Sequence, residues 1–404
     1  MKDTSQLKVG AACSDITPPL EAGLLTSSVN GTYALFDSVR LPLKARVIAL
    51  SCGEENIAIV SLDLLALNDT STGGWENFKK SLSAALHPEK IIITCTHTHT
   101  APESVALSNL YLKPVYIAWL NNVQQKIKEA ISVASNNMQP CSVLIGYGDL
   151  QGFNMQRRVH IDDKIVMSDA LQPVTKELMD KQPVDRRVKV LRFIDDNNNP
   201  VATIVEAVCH PVHEMCLRHI SPDFPGELCL ELEKTSAYGL SLFLNGAAGD
   251  TNPPTVSMGA VFARQHGVAL ANVVKEIKYT ALENAPAFKA VNSCVTLSIR
   301  LEAGINNLRE AIARFSAVRF GNIAVLFLPG EPFIETANYI EQNSPFDHTI
   351  IAAYGENSIG YIPTNKAFDL GGYETGPGKW SYLEKGTDKI ICDEGLRLLQ
   401  ELNT

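Results

Sequence analysis

The chain has 404 residues, of which 45% are hydrophobic and 20% charged, the proportions of a soluble globular protein with a large core. Its formal net charge of −9 and lack of any basic stripe exclude nucleic acid as an expected partner. No run reaches the roughly 18–20 apolar residues of a membrane span. The opening "MKDTSQLKVGAACSD" also lacks an apolar signal-peptide segment.

In chain order, short apolar runs of strand length alternate with longer helical stretches. Strands are expected at 44–50 and 57–65, a helix near 75–86, and a strand at 91–96. The best-patterned helix runs over about 114–134, where Leu120, Val123, Ile127 and Ile131 share one face. Strands follow at 141–147, 188–195 and 201–209, then a helix near 225–236, a strand at 240–245 and a helix near 258–278. The pattern closes with strands at 290–299 and 322–328 and helices near 332–343 and 388–402. This alternation predicts an α/β protein, a layered mixed β-sheet core flanked by helices, with several strands apolar enough to be covered on both faces. No internal repeat and no Pro/Gly/Ser linker stand out, so residues 1–404 read as one domain. The nine cysteines are scattered, lack a CxxC pair and mostly lie in apolar runs, which suits reduced thiols in a cytoplasmic protein unless a leader has been removed.

Several strand ends carry residues able to do chemistry. In "IIITCTHTHTAPES" an apolar strand reaches His97 and His99, two positions apart, so that both imidazoles face one side and suit a metal or a general base. In "VEAVCHPVHEM" a second strand reaches His210, with His213 and Glu214 close by. In open α/β sheets ligands bind beyond the carboxyl ends of strands. Two histidine-bearing ends at one pocket would suit zinc, with a carboxylate from a third element. "LFLNGAAGDTNPP" runs into a small-residue turn followed by Asp250 and Asn252, and Asp250 is placed to orient a histidine. "AVLFLPGEPFIETA" brings Glu331 to the start of a helix, as a metal ligand or a helix-terminal carboxylate. Tyr361 lies in the Gly-rich "YGENSIGYIPT", and the adjacent Arg157 and Arg158 of "GFNMQRRVH" can bind an anionic group.

Together with "DITPP" at 15–19, these stretches in this order resemble the catalytic domain of the neutral/alkaline (non-lysosomal) ceramidases, from about residue 8 to 375. The resemblance implies a zinc ion held by His97, His210, Glu331 and Tyr361, with His99 beside it on the scissile group and Arg157 or Arg158 implicated in activity. Three departures accompany it. The family's Gly-Asp-Val-Ser-Pro reads Gly-Asp-Thr-Asn-Pro, so Asn252 stands where a serine is expected. The family's His-Gly-Thr-Ser-Met becomes His210-Pro-Val-His213, which leaves His213 as an alternative ligand or base. The chain also ends where ceramidases continue into an immunoglobulin-like domain.

The expectation is therefore a zinc hydrolase that cleaves an amide, ester or lactone in a small soluble substrate by metal-activated water, without stable membrane association. Asp250 would position His99 or the water, and Asn252 would donate to the tetrahedral intermediate. One rival is a sugar-active glycosidase or lyase using acidic residues near Asp169, Asp185 or Glu356. The other is a metal-binding homologue without catalysis.

Overall fold

Three successive stretches of chain, with no visible likeness in sequence, fold into the same succession of elements in a computed structural model that describes residues 6–83, 86–282, 287–305 and 308–404. The first holds β1 (Lys8–Asp15), β2 (Lys44–Cys52), β3 (Glu55–Leu62), α1 (Trp75–Leu82), β4 (Ile91–Cys95) and α2 (Pro114–Asn136). The second holds β5 (Gln139–Asp149), β6 (Arg187–Asp195), β7 (Pro200–Ala207), α3 (Asp223–Glu233), β8 (Leu240–Asn245) and α4 (Ala260–Glu276). The third holds β9 (Phe288–Ser298), β10 (Glu310–Phe320), β11 (Ile323–Phe327), α5 (Ile334–Asn343), β12 (His348–Ala352) and α6 (Thr387–Asn403). In each unit the first three strands pair antiparallel and the fourth pairs parallel with the third. A parallel neighbour needs a crossover, which α1, α3 and α5 supply.

Units one and two join where β1 meets β5, through Lys8–Pro140 and Val9–Gln139 alone. The result is a mixed sheet in the order β8-β7-β6-β5-β1-β2-β3-β4, with the short strand Thr280–Ala281 against β5. Unit three keeps its own four-stranded sheet, β9-β10-β11-β12. The layered α/β expectation holds, and the reading that no repeat is present is corrected at the level of topology. The repeat is one of pairing pattern, which side chains of different identity satisfy equally well.

Alternation along the strands builds the core. On β3, Ile57 and Ile59 enter a central apolar cluster, whereas Ala58, Val60 and Leu62 face the helices. All three units feed that central cluster, through residues such as Ile48, Leu191 and Val325. Each unit's other face is covered by its own two helices: Phe78 and Val123 on unit one, Leu228 and Leu270 on unit two, Ile340 and Leu398 on unit three. Strands buried on both sides are apolar at nearly every position, which is why most were legible. α2 starts with Pro114, whose missing N–H costs nothing at that position. Gly10 of β1 lets α2 approach, since a Cβ there would lie 2.0 Å from the Ala134 carbonyl oxygen.

Strands at 8–15, 310–320 and 348–352 were not anticipated. The helix expected over 75–86 covers Trp75–Leu82, and residues 84–85 lie outside the described ones. Among the described residues no helix is long and apolar enough to cross a membrane.

Polar contacts between units follow the same cycle. Arg46 of β2 pairs with Glu233 of α3, and Lys189 of β6 pairs with Glu341 of α5 at 2.5 Å. Glu356, just beyond β12, pairs with Lys79 of α1 at 2.8 Å and accepts from Ser316 of β10 at 2.8 Å. Removing one partner of a buried pair strands the other charge. Lys79→Met should therefore lower stability by about 3–5 kcal/mol. Lys79→Met/Glu356→Met should recover most of that loss, as read from urea unfolding midpoints.

Candidate metal centre

The loops that follow the third and fourth strands of all three units meet at one end of the molecule. His97 lies two residues past β4, His210 three past β7, Glu331 four past β11 and Tyr354 two past β12. The expected reason for the convergence of His97 and His99 is corrected here. The strand ends at Cys95, and His97 sits in the left-handed region at φ 70°, so strand alternation does not align the two rings. A bent loop does so instead, with His97 N–H donating to the Leu64 carbonyl at 2.9 Å. A histidine held at positive φ costs energy that the surrounding contacts must offset.

The orientation of the two buried imidazoles follows from their backbone partners. His97 Nδ1 lies 2.6 Å from the Leu65 carbonyl oxygen and His210 Nδ1 lies 2.6 Å from that of Ala248. A carbonyl only accepts, so each Nδ1 carries the proton and each Nε2 presents a lone pair. Those lone pairs face each other at 3.2 Å. Glu331 Oε2 lies 3.3 Å from the first and 3.2 Å from the second. His99 Nε2 stands 3.4 Å from His97 Nε2, and the Tyr361 hydroxyl 3.4 Å from His210 Nε2. Metal–ligand bonds of about 2.0–2.1 Å in a tetrahedron put neighbouring ligand atoms about 3.3–3.4 Å apart. The triangle of His97, His210 and Glu331 has nearly that spacing, so the donor set fits a divalent ion. His99 and Tyr361 each lie 3.4 Å from one vertex of that triangle, and His97, His99 and His210 together form a group able to bind a metal.

Electrostatics agree with the geometry. Burial, reinforced by the Arg157 guanidinium, pushes His210 down to about 4. Burial and the neighbouring imidazoles of His97 and His210 push His99 well below the usual histidine range. For Glu331 burial favours the neutral acid, but the imidazoles of His97 and His210 outweigh it and hold the carboxyl well below its ordinary range. The site thus sets an ionised carboxylate beside imidazoles, of which His99 and His210 are disfavoured as cations by burial, a donor set for a cation.

This cluster forms the floor of a cavity of about 310 Å³. Leu25, Val105, Leu107, Val212 and Val256 give it apolar walls, Tyr373 and Trp380 an aromatic side, and Asp169, Asn252 and Lys379 polar groups. Asn252 is buried in the wall, its Nδ2 3.5 Å from Ser168 Oγ. Of the two arginines, Arg157 is the one at the cluster, with Nη1 3.2 Å from the Tyr361 hydroxyl and 3.4 Å from His210 Nε2. Its Nε donates to Glu374 and its Nη2 to the Gly249 carbonyl, so it is not free to bind a substrate carboxylate.

The remaining candidates sit elsewhere. Arg158 binds Glu374 and the Gly371 carbonyl and lines a separate cleft of about 750 Å³. Asp250 accepts from Gln156 Nε2 at 2.8 Å and Ile334 N–H at 3.1 Å, so it braces the start of α5 and is not bonded to His99. Burial raises its carboxyl to about 6. His213 meets His266 Nδ1 at 3.0 Å and Thr255 Oγ1 at 2.8 Å, away from the cluster. Two residues escaped the sequence reading. Tyr354 stacks on His97 with ring centroids 4.0 Å apart, and Glu374 anchors both arginines from a fully buried position. A tyrosine and a glutamate in an irregular loop carry no local signal of either role.

The fold and this cluster define a ceramidase-like α/β architecture with a candidate metal centre. Comparison with known proteins agrees with that class. No protein-family model matches the sequence. Over 213 residues the chain is 26% identical to neutral ceramidase 3 of Arabidopsis thaliana, a stretch that takes in 50% of this chain but only 27% of that protein. The structure matches that of neutral ceramidase from Pseudomonas aeruginosa with a TM-score of 0.75 and 17% identity, over 98% of this chain and 75% of that one. It matches a ceramidase complexed with C2 with a TM-score of 0.78 and 16% identity over the same shares. The resemblance to neutral ceramidases carried by the motifs is borne out.

Two outcomes follow. His97→Ala should lower bound divalent metal from about one ion per chain to under about 0.2, whereas His213→Gln should leave it unchanged, as read by elemental analysis of purified protein. Burial pushes His213 down to about 4, below its unfolded value of about 6.5, so its contribution to stability is present above pH 6.5 and lost as pH falls towards 4. His213→Gln should flatten that part of the stability–pH curve in urea titrations.

Proposed function

We propose that this chain is a zinc-dependent hydrolase that cleaves an amide bond in a small substrate carrying a compact acyl group. One observation carries the reading: three donors, His97, His210 and Glu331, lie within 3.3 Å of one another in the lining of a pocket of about 310 Å³. Tyr361 would complete the ligand set, and His99 would face the substrate. Bound there, zinc supplies Lewis-acid activation of water or of the scissile carbonyl.

The chain's own groups divide the remaining work. His99, kept neutral by burial and by its neighbours, takes a proton from the attacking water and returns it to the leaving nitrogen. Arg157 Nη1 donates beside the Tyr361 hydroxyl, where negative charge builds on the carbonyl oxygen. Asn252 replaces a nucleophilic serine with an amide able to hold the substrate. The apolar walls lower the local dielectric, which strengthens these contacts.

The pocket favours a compact ligand. About 310 Å³ is the lower end of small-molecule sites and holds about ten water volumes. A short acyl amide fits within it, whereas the chains of a two-chain lipid would extend out through its open mouth, as they would have to if this chain acted on the substrate the relatives are named for. The sugar-active reading has less support, because Asp185 is paired with Arg187 and Glu356 with Lys79, which leaves Asp169 alone of the three on the pocket wall. Five buried cysteines fit a reducing compartment, and we place the protein in the cytoplasm on that basis.

The test is turnover of a panel of N-acyl amino acids of graded acyl length, ceramides, lactones and oligosaccharides, before and after chelation. Short-chain amides should be hydrolysed, lose more than about 100-fold in rate on chelation and recover with one zinc per chain. Turnover of oligosaccharides alone would reject amide hydrolysis. Stoichiometric zinc with no turnover would favour a binding protein.

A further inference from the structure

We propose that Glu374 is a positioning residue that aims Arg157 at the scissile group, an inference that rests on the hydrolase reading above. Glu374 sits on the single turn Tyr373–Thr375 and is wholly screened from solvent. One carboxylate oxygen takes Arg157 Nε at 2.8 Å and the other takes Arg158 Nη1 at 2.5 Å. Arg158 is itself tied to the Gly371 carbonyl at 2.5 Å, so the carboxylate cannot turn.

The consequence for Arg157 is geometric. With Nε held by Glu374 and Nη2 by the Gly249 carbonyl, the plane of the guanidinium is fixed. Only Nη1 then faces the cluster, 3.2 Å from the Tyr361 hydroxyl. The cation also lies over the rings of Tyr361 and Tyr373, with its central carbon 5.1 and 5.8 Å from their centroids. A charge-assisted hydrogen bond from each arginine to its own carboxylate oxygen gives directional control that a point charge would not. Glu374 also supplies the negative charge that offsets two buried guanidinium groups, of which Arg157 stands beside the candidate cation site. It touches neither substrate nor metal ligand, so its effect on the reaction is indirect.

Glu374→Asp keeps the charge but withdraws it by about one methylene, and Glu374→Gln keeps the shape but not the charge. A displacement of about 1 Å at such a group costs about 10²-fold in rate. Zinc-loaded full-length Glu374→Asp should therefore lose about 100-fold in kcat with KM within threefold of the parent. Its zinc Kd, read by competition with a chromophoric chelator, should rise about tenfold, because the Tyr361 oxygen loses the donor that orients it. If the aspartate variant does not fold, Glu374→Gln is measured in the same two ways.

A folded variant with parental kcat and parental zinc Kd overturns the inference and leaves the hydrolase reading standing. A variant that is merely less stable, with parental kcat per folded chain, does the same. A parent chain that binds zinc but hydrolyses nothing overturns the hydrolase reading, and the zinc Kd still decides whether Glu374 orders the site. A parent that binds no zinc overturns both.

Discussion

Two imidazole lone pairs held 3.2 Å apart in a buried pocket, with a carboxylate closing the triangle, are the constraint on which the rest of the site depends. Neither ring can relieve the repulsion by turning, because each Nδ1–H is committed to a backbone carbonyl. A buried carboxylate and two facing lone pairs are unfavourable as neighbours unless something positive lies between them. The fold maintains this arrangement even at the cost of a histidine at φ 70°. Strain of that kind in a well-packed loop is expected where the position of one atom matters more than local comfort.

The threefold topology explains how such a triangle is built. Each unit contributes one vertex: His97 from the first, His210 from the second and Glu331 from the third. Each vertex lies in a loop leaving a parallel strand pair, and the partner loop of the same unit braces it. Leu65 braces His97, and Ala248 braces His210. In the third unit Gly330 and Tyr354 are joined by a backbone hydrogen bond of 3.1 Å. Because the three units share one apolar cluster and are cross-linked in a cycle by Arg46–Glu233, Lys189–Glu341 and Lys79–Glu356, the vertices cannot drift independently. The geometry of the triangle is thus a property of how the units pack, with no single loop carrying it.

Much of this was legible in the sequence, for identifiable reasons. Strands sandwiched between the central cluster and helices must be apolar on both faces, so β2, β3, β4 and β7 stood out as runs. β1 escaped because its small and polar residues, "KVGAACSD", make no such run, and β10 because "EAIARFSAVRF" places charges at its partly exposed positions. His97, His210, Glu331 and Tyr361 were legible as a set only through the resemblance to ceramidases, and the structure places His97 Nε2, Glu331 Oε2 and the Tyr361 hydroxyl 3.2, 3.2 and 3.4 Å from His210 Nε2. The supports were not recognisable. Glu374 meets Arg157 across 217 positions, and Tyr354 meets His97 across 257, distances at which local pattern carries no information. Conversely, Asp250 and His213 carried local signals, a small-residue turn and a neighbouring histidine, yet fold into bracing roles.

Anomalous diffraction at the zinc edge, from crystals of the full chain grown with stoichiometric zinc, tests the central claim most directly. The account predicts one peak inside the triangle, about 2.0–2.2 Å from His97 Nε2, His210 Nε2 and a Glu331 carboxylate oxygen. An empty triangle, or zinc found instead on another pair such as His213 and His266, would contradict it.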